Sequence, residues 1–329
     1  MNQYTTRALL EAAGAAPRCG DPLRPYRWLV GAAPGAGEYL AHVLGSPSGD
    51  LVCAEAADGA GGSALILGRL APFESRILGP SIARLSDIVA WGPGKDGDAL
   101  HRALHRAREM LGARGARHLI AAAMADEVEI QGALTGQGFH EIARKRSFFC
   151  SPENRGAVRP ITLRHVVRPA NDDDIPLLRG FAERFEYSQY RHIPGVTHEA
   201  VTRLYEAWIE RACRREFASD VLVVEQAGRA AGFFAFKIDD TLLALTGKRL
   251  LRYGLTAVHS GQPALFSDLI LGLQRYVMEG GGDGVQFDFY AQNSPVERMF
   301  ERFCCFPAAE VIVYMGDALG AEPAAGRAP

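Results

Sequence analysis

"VHSGQPALFSDLI", residues 258 to 270, changes its hydrophobic period in mid-stretch. Its first residues close a β-like run, "LTAVH" (255–259), whereas from Ala264 onward the apolar residues recur at helical spacing. A buried strand therefore runs into an amphipathic helix. Between the two stand Gly261, free to adopt backbone angles other residues avoid, and Pro263, whose fixed φ and missing N–H suit a helix's first turn. Such a junction presents unbonded amides at the end of a strand, which is how many folds hold an anion. The plain alternative is an ordinary strand-to-helix turn.

Outward from this junction the same switching of period continues in both directions. The first half predicts strands at "YRWLV" (26–30), "LVCAEA" (51–56), "SALILGRL" (63–70) and "SIARLSDIVAW" (81–91). A helix near 97–113, a strand "RHLIAAAM" (117–124), a second helix and a strand "EIARKRSFFC" (141–150) follow. "SPENRGAVRP" (151–160) mixes Pro, Gly, Asn and charge and reads as a linker. The second half predicts a strand "ITLRHVVRPA" (161–170), a helix capped by Asp172 or Asp173 with Pro176 in its first turn, and a longer helix at about 197–216. Two strands in "DVLVVEQAGRAAGFFAFKI" (220–238) turn at Ala227-Gly228-Arg229, and a further strand pair is expected up to "RYGLTAVH" (252–259). A helix at about 264–279, a strand "GVQFDFYA" (284–291), a helix "SPVERMFERF" (294–303) and a strand "AEVIVYM" (309–315) complete the pattern. This is an α/β order with mixed sheets. Both halves end in strand, helix, strand, helix, strand, which an internal duplication explains economically.

The 329 residues exceed what one core usually organises, so two domains are expected. We divide the chain into a segment 1–25, domains 26–150 and 161–316, the linker, and a frayed Gly/Ala/Pro-rich tail at 317–329. A net charge of −2 gives no broad cationic footprint and argues against nucleic acid. Cys19, Cys53, Cys150, Cys213, Cys304 and Cys305 lack zinc or disulfide spacing and read as reduced cytoplasmic thiols. Neither a leader peptide nor an 18-residue apolar span is evident, so no membrane partner is expected. "GPGKDG" (92–97) lacks phosphate-loop spacing, and His101 and His105 share a helix face without a third ligand, so no metal is assigned.

"FESRILGPSIARL" (73–85), "YSQYRHIP" (187–194), "LYEAWIERACRREF" (204–217), "GFFAFK" (232–237) and "QNSPVERMFERF" (292–303) together resemble the GNAT superfamily of N-acyltransferases. More narrowly they resemble the TDP-fucosamine acetyltransferases, which pair a reduced GNAT-like N-terminal region with a complete C-terminal domain. The resemblance implies two tandem GNAT-like domains, each a mixed central sheet flanked by helices, the first degenerate. It implies acyl transfer from acetyl-CoA or another acyl-CoA, as co-substrate, to the amine of a small-molecule acceptor such as a nucleotide-linked amino sugar. A homodimer is compatible with it. An aminoacyl-tRNA-dependent transferase of tandem GNAT fold and an inactive CoA-binding scaffold are the rival classes.

Residue by residue, the resemblance gives the backbone of Thr256, Ala257 and Val258 to the pantetheine arm, with Asn293 beside it. As a lone residue Asn293 reads equally as a helix cap. The family's pyrophosphate loop is shortened here to Gly261 and Gln262, leaving their amides and those of Ala264, Leu265 and Phe266 as donors. Where the family places a tyrosine to protonate the leaving thiolate, this chain has Phe300. A thiol's pKa near 8.5 makes the thiolate a tolerable leaving group, and Tyr290, His259 or water are the substitutes. Asp288 is a candidate to orient the amine or relay its proton. Tyr187, Ser188, Tyr190, Arg191 and His192 form the expected acceptor loop, its aromatics suited to stacking and its arginine to a phosphate or carboxylate.

Overall fold

The computed structural model describes residues 17–31, 34–45, 50–59, 61–92, 98–151, 162–259, 261–280, 282–303 and 305–320. Within them the helices are α1 (Arg27–Val30), α2 (Ala36–Gly45), α3 (Pro72–Leu78), α4 (Asp98–Ala113), α5 (Val128–Gly136), α6 (Ile175–Arg179), α7 (His198–Cys213), α8 (Asp240–Thr246), α9 (Pro263–Glu279) and α10 (Ser294–Arg302). The strands are β1 (Leu51–Ala57), β2 (Ser63–Leu70), β3 (Ile82–Trp91), β4 (His118–Met124), β5 (His140–Cys150), β6 (Val167–Pro169), β7 (Asp220–Gln226), β8 (Arg229–Ile238), β9 (Leu250–Val258), β10 (Gly284–Tyr290) and β11 (Phe306–Asp317).

All eleven strands join one mixed sheet in the order β1-β2-β3-β4-β11-β5-β10-β9-β8-β7-β6. The pairs β3/β4 and β9/β10 are parallel, as expected where a helix crosses between two strands. The last strand of each half is exchanged. β5 closes the first half in sequence, yet both of its neighbours, β10 and β11, belong to the second. β11 closes the second half and pairs with β4 over Val311–Asp317. Alternation along β11 sends Ile312 and Tyr314 into the core beneath α4 and α5, and Val313 and Met315 into a core on the other face. That second core unites both halves, since it also holds Ile82, Leu178, Leu204 and Phe233. A third core, under α9 and α10, is rich in phenylalanine.

Several expectations differ from the structure. "YRWLV" is not a strand: Pro25 starts a 3₁₀ turn at Arg24–Tyr26 that runs into α1, and Gly31 ends it at φ 68°. Its aromatics are spent on tertiary packing, with Trp28 4.5 Å from Phe149 between ring centroids. The expected strand at 161–170 shrinks to Val167–Pro169. Asn171, rather than Asp172 or Asp173, caps the turn after it, in a reciprocal box with Asp174. The first member of the strand pair before β9 is helix α8, capped by Asp239 and closed by Gly247 at φ 71°. Residues 317–320 are not frayed: Asp317 bonds His118 at 2.9 Å, and the amides of Ala318 and Leu319 reach Arg117 and Arg108 carbonyls. Most of the linker, residues 1–16, the run 93–97, Ser260, Cys304 and the tail from 321 lie outside the described residues. Among the described residues no helix is long and apolar enough to cross a membrane, and no cluster of three candidate metal ligands forms.

Candidate active site

β9 and β10 begin side by side and then part. Their pairing runs only over Leu250–Arg252 against Gly284–Gln286, although β9 continues to Val258 and β10 to Tyr290. A bulge explains the parting: Tyr253 and Leu255 oppose adjacent residues of β8, so Gly254 is the extra residue that bends β9 away. Gly254 also packs tightly, an ideal Cβ there lying 3.2 Å from the Ala235 carbonyl oxygen. Beyond the bulge, β9 stays bonded to β8 up to Val258 and β10 stays bonded to β5 up to Tyr290. Each strand thus keeps its outer partner and turns an inner edge of unmatched amides and carbonyls to the gap.

A cavity of about 830 Å³ fills this gap and runs through the sheet. On one face it is walled by Phe266, Phe287, Phe289, Val296 and Phe300, members or neighbours of the phenylalanine-rich core. On the other it is walled by Tyr187, Tyr190, Tyr205 and Trp208. Thr256, Ala257, Val258, Asp288, Tyr290 and Asn293 line it as well, so ten of the residues singled out in the sequence meet here: these six with Phe266, Phe300, Tyr187 and Tyr190. Asn293 begins α10 without using its side chain as a cap, which leaves its amide group to the cavity. Phe300 is buried among Phe287, Phe289, Phe148 and Phe266 at centroid distances of 4.4 to 6.1 Å. It completes an apolar wall and has no proton to give.

Tyr290 lines the same cavity. Its hydroxyl oxygen accepts a hydrogen bond from the Gln189 amide at 2.9 Å, and the hydroxyl is also hydrogen-bonded to that of Tyr205. Asp288 lies one pleat away on the same face of β10. Its Oδ1 accepts from Gln286 Nε2 at 2.9 Å and from Ser147 Oγ.

Other expected residues fall outside the cavity wall. His259 packs its ring on Phe181, 5.0 Å between centroids. Gly261, Gln262, Ala264 and Leu265 form the start of α9 beside the wall rather than in it. Gly261 adopts φ 73°, so the junction needs the glycine. The Leu265 amide is already bonded to the Gln262 carbonyl at 3.1 Å and its side chain is fully buried, which removes it from the donor set. On the acceptor loop, Ser188 is buried as the cap of the 3₁₀ turn Gln189–His192. Arg191 is exposed and bonded to the Phe185 carbonyl at 3.1 Å, and His192 is exposed. Tyr190 lines the cavity but is also core, 3% exposed, with its hydroxyl bonded by Arg84.

Two lining residues come from the first half and carry no local sequence signal: Arg84 on β3 and Lys145 on β5. Strand exchange brings Lys145 opposite Tyr290, its Nζ 5.2 Å from the ring centroid. Burial pulls the Lys145 pKa below its ordinary value; the charge of Arg84 adds to this and that of Asp288 opposes it.

Among solved structures, the chain is similar to a tandem GNAT protein from the clavulanic acid biosynthesis pathway, with a TM-score of 0.55, 14% identity and 96% of each chain covered. The fold is that of tandem GNAT proteins. A GCN5-related N-acetyltransferase from Kribbella flavida matches at TM-score 0.52 and 13% identity, over 86% of this chain and 95% of that one. Another from Sphaerobacter thermophilus matches at 0.55 and 10%, over 90% of each chain. No family model and no curated protein matches the sequence. At these identities the GNAT likeness is one of fold.

Proposed function

We propose that the chain is an acyl-CoA-dependent N-acyltransferase, moving an acetyl or other acyl group to the amine of a nucleotide-linked amino sugar or a related small metabolite. The observation that carries this reading is the parted strand pair opening onto a cavity through the sheet. An extended, amide-bearing arm such as pantetheine pairs with the free edges of β9 and β10 as an added strand would, with Asn293 beside it. The amides of Gly261, Gln262, Ala264 and Phe266 at the start of α9 supply donors for a pyrophosphate, aided by the helix dipole.

An acyl thioester supplies an activated carbonyl carbon and a stable leaving thiolate. The C–N bond forms as the C–S bond breaks, the ammonium gives up a proton first, and the thiolate takes one last. Asp288, held by Ser147 and Gln286, receives the amine's proton directly or through water, and Tyr290 donates to the thiolate. The phenylalanine wall excludes water from the thioester. Calorimetric titration with acetyl-CoA tests the reading. Micromolar binding with CoA release on adding amines supports it; binding without release across varied amines leaves a CoA-binding protein, and no binding up to millimolar concentration sinks it.

A further inference from the structure

Arg84 and Lys145 stand in the same cavity with donors to spare. The Arg84 side chain keeps 43% of its surface open because it faces the void. Its Nη2 is committed to Glu74 at 2.8 Å and to the Tyr190 hydroxyl, while Nη1 has no hydrogen-bond partner among the described residues and Nε is buried without one. Lys145 makes no hydrogen bond or ion pair among the described residues; only the face of Tyr290 attends it. Asp288 forms no ion pair with it among the described residues and acts on it only through its charge, its Oδ1 being engaged by Ser147 and Gln286. Two cations facing one cavity with unused donors repel one another, and their partial burial leaves that repulsion less screened than in bulk water.

Resting on the acyl-transfer reading above, we infer that the acceptor amine carries an oxyanion, carboxylate or phosphate, which Arg84 and Lys145 bind at the far wall of the cavity. Charge-assisted bonds from a guanidinium and an ammonium are the strong ones, and a two-oxygen anion matches both donors. The ammonium end of the same molecule has its counter-charges in Asp288, Glu183 and Glu186, which also line the cavity. The first half of the chain therefore contributes specificity to a reaction centre built on the second. Arg84 and Lys145 take over the anion-binding role that Arg191, outside the cavity, does not fill.

The test is calorimetry on the full chain without acyl donor, with matched probes: glucosamine 6-phosphate against glucosamine, and phenylalanine against phenylalaninamide. One anionic member is expected to bind about tenfold or more tightly than its neutral partner, and which pair shows it separates phosphate from carboxylate. Lys145→Met and Arg84→Lys, each checked for a cooperative thermal melt no lower than that of the unaltered protein, should cut that preference to about threefold or less. Arg84→Lys preserves charge but loses the guanidinium fork, so it separates recognition from folding. Equal binding of both members overturns the inference, as does a preference that survives both substitutions. So does the absence of any heat with the four probes, inorganic phosphate and acetate up to roughly 20 mM. Acetyl-CoA titrated into the same samples keeps the two readings apart. Its binding without an anion preference sinks only the subsite, and an anion preference without its binding sinks only acyl transfer.

Discussion

Removing everything after residue 150 should abolish the first half's fold, although that fragment holds five strands and most of their helices. The reason is the exchange of last strands. In the intact chain β11 lies between β4 and β5, so the fragment loses every partner of β5 and the whole inner edge of β4. It also loses four side chains buried to within 4% of complete coverage, Ile312, Val313, Tyr314 and Met315, two from each face of the sheet. At about 1.5–3 kcal/mol for each such side chain, the loss is on the order of 6–12 kcal/mol. A whole domain is stable by only about 5–15 kcal/mol, so what remains is marginal or unfolded. The assay compares three samples by size exclusion and thermal circular dichroism: the intact chain, the chain cut at a protease site inserted within 152–161, and isolated 1–150. The cut halves should elute together and melt as one unit, while 1–150 alone shows no cooperative melt. A fragment that melts cooperatively near the intact chain's Tm would refute the argument, as would halves that separate on cutting without denaturant.

Gly261→Val places a β-branched residue at φ 73°, where an L side chain costs about 1–2 kcal/mol, so acetyl-CoA affinity should fall about tenfold with the overall melt little changed. Calorimetry with unchanged affinity would move the pyrophosphate elsewhere. Lys145→Met should stabilise the protein, and the gain should shrink as pH rises towards 10.5. The half-buried lysine titrates below its unfolded value, so between the two values the unfolded chain holds more protons and wild-type stability climbs with pH. Below the folded value the full cost of a charged, desolvated lysine is present; urea melts across pH that show a constant gain would contradict this. Burial, with nearby glutamates, pushes the thiols of Cys19 and Cys53 up to about 12. Their thiolate fraction at pH 8 falls roughly a thousandfold below that of an ordinary thiol, so peptide mapping after brief maleimide treatment should find both unlabelled.

The sequence by itself determined the class of fold and most of its elements, because these depend on local period. "SALILGRL" alternates and is β2, and the run from Pro263 to Glu279 keeps a helical stripe and is α9. Asp239 and Gly247 marked α8 as well, and the apolar run between them concealed it. Thr256 to Val258, Tyr290, Asn293 and Phe300 were picked out through the resemblance to the GNAT superfamily rather than by period, and they line one cavity. What only the tertiary structure decided is which strands become neighbours. No local signal says that β5 leaves its own half to lie against β10, because pairing edge to edge depends on distant hydrogen bonds and faces rather than on period. That choice put Lys145 opposite Tyr290, and the packing of the halves drew Arg84 to the same cavity. Local reading had looked for the acceptor's charged partner in Arg191, on the adjacent loop. Packing turned Arg191 outward and left the cavity's anion-binding wall to two residues from the other half of the chain.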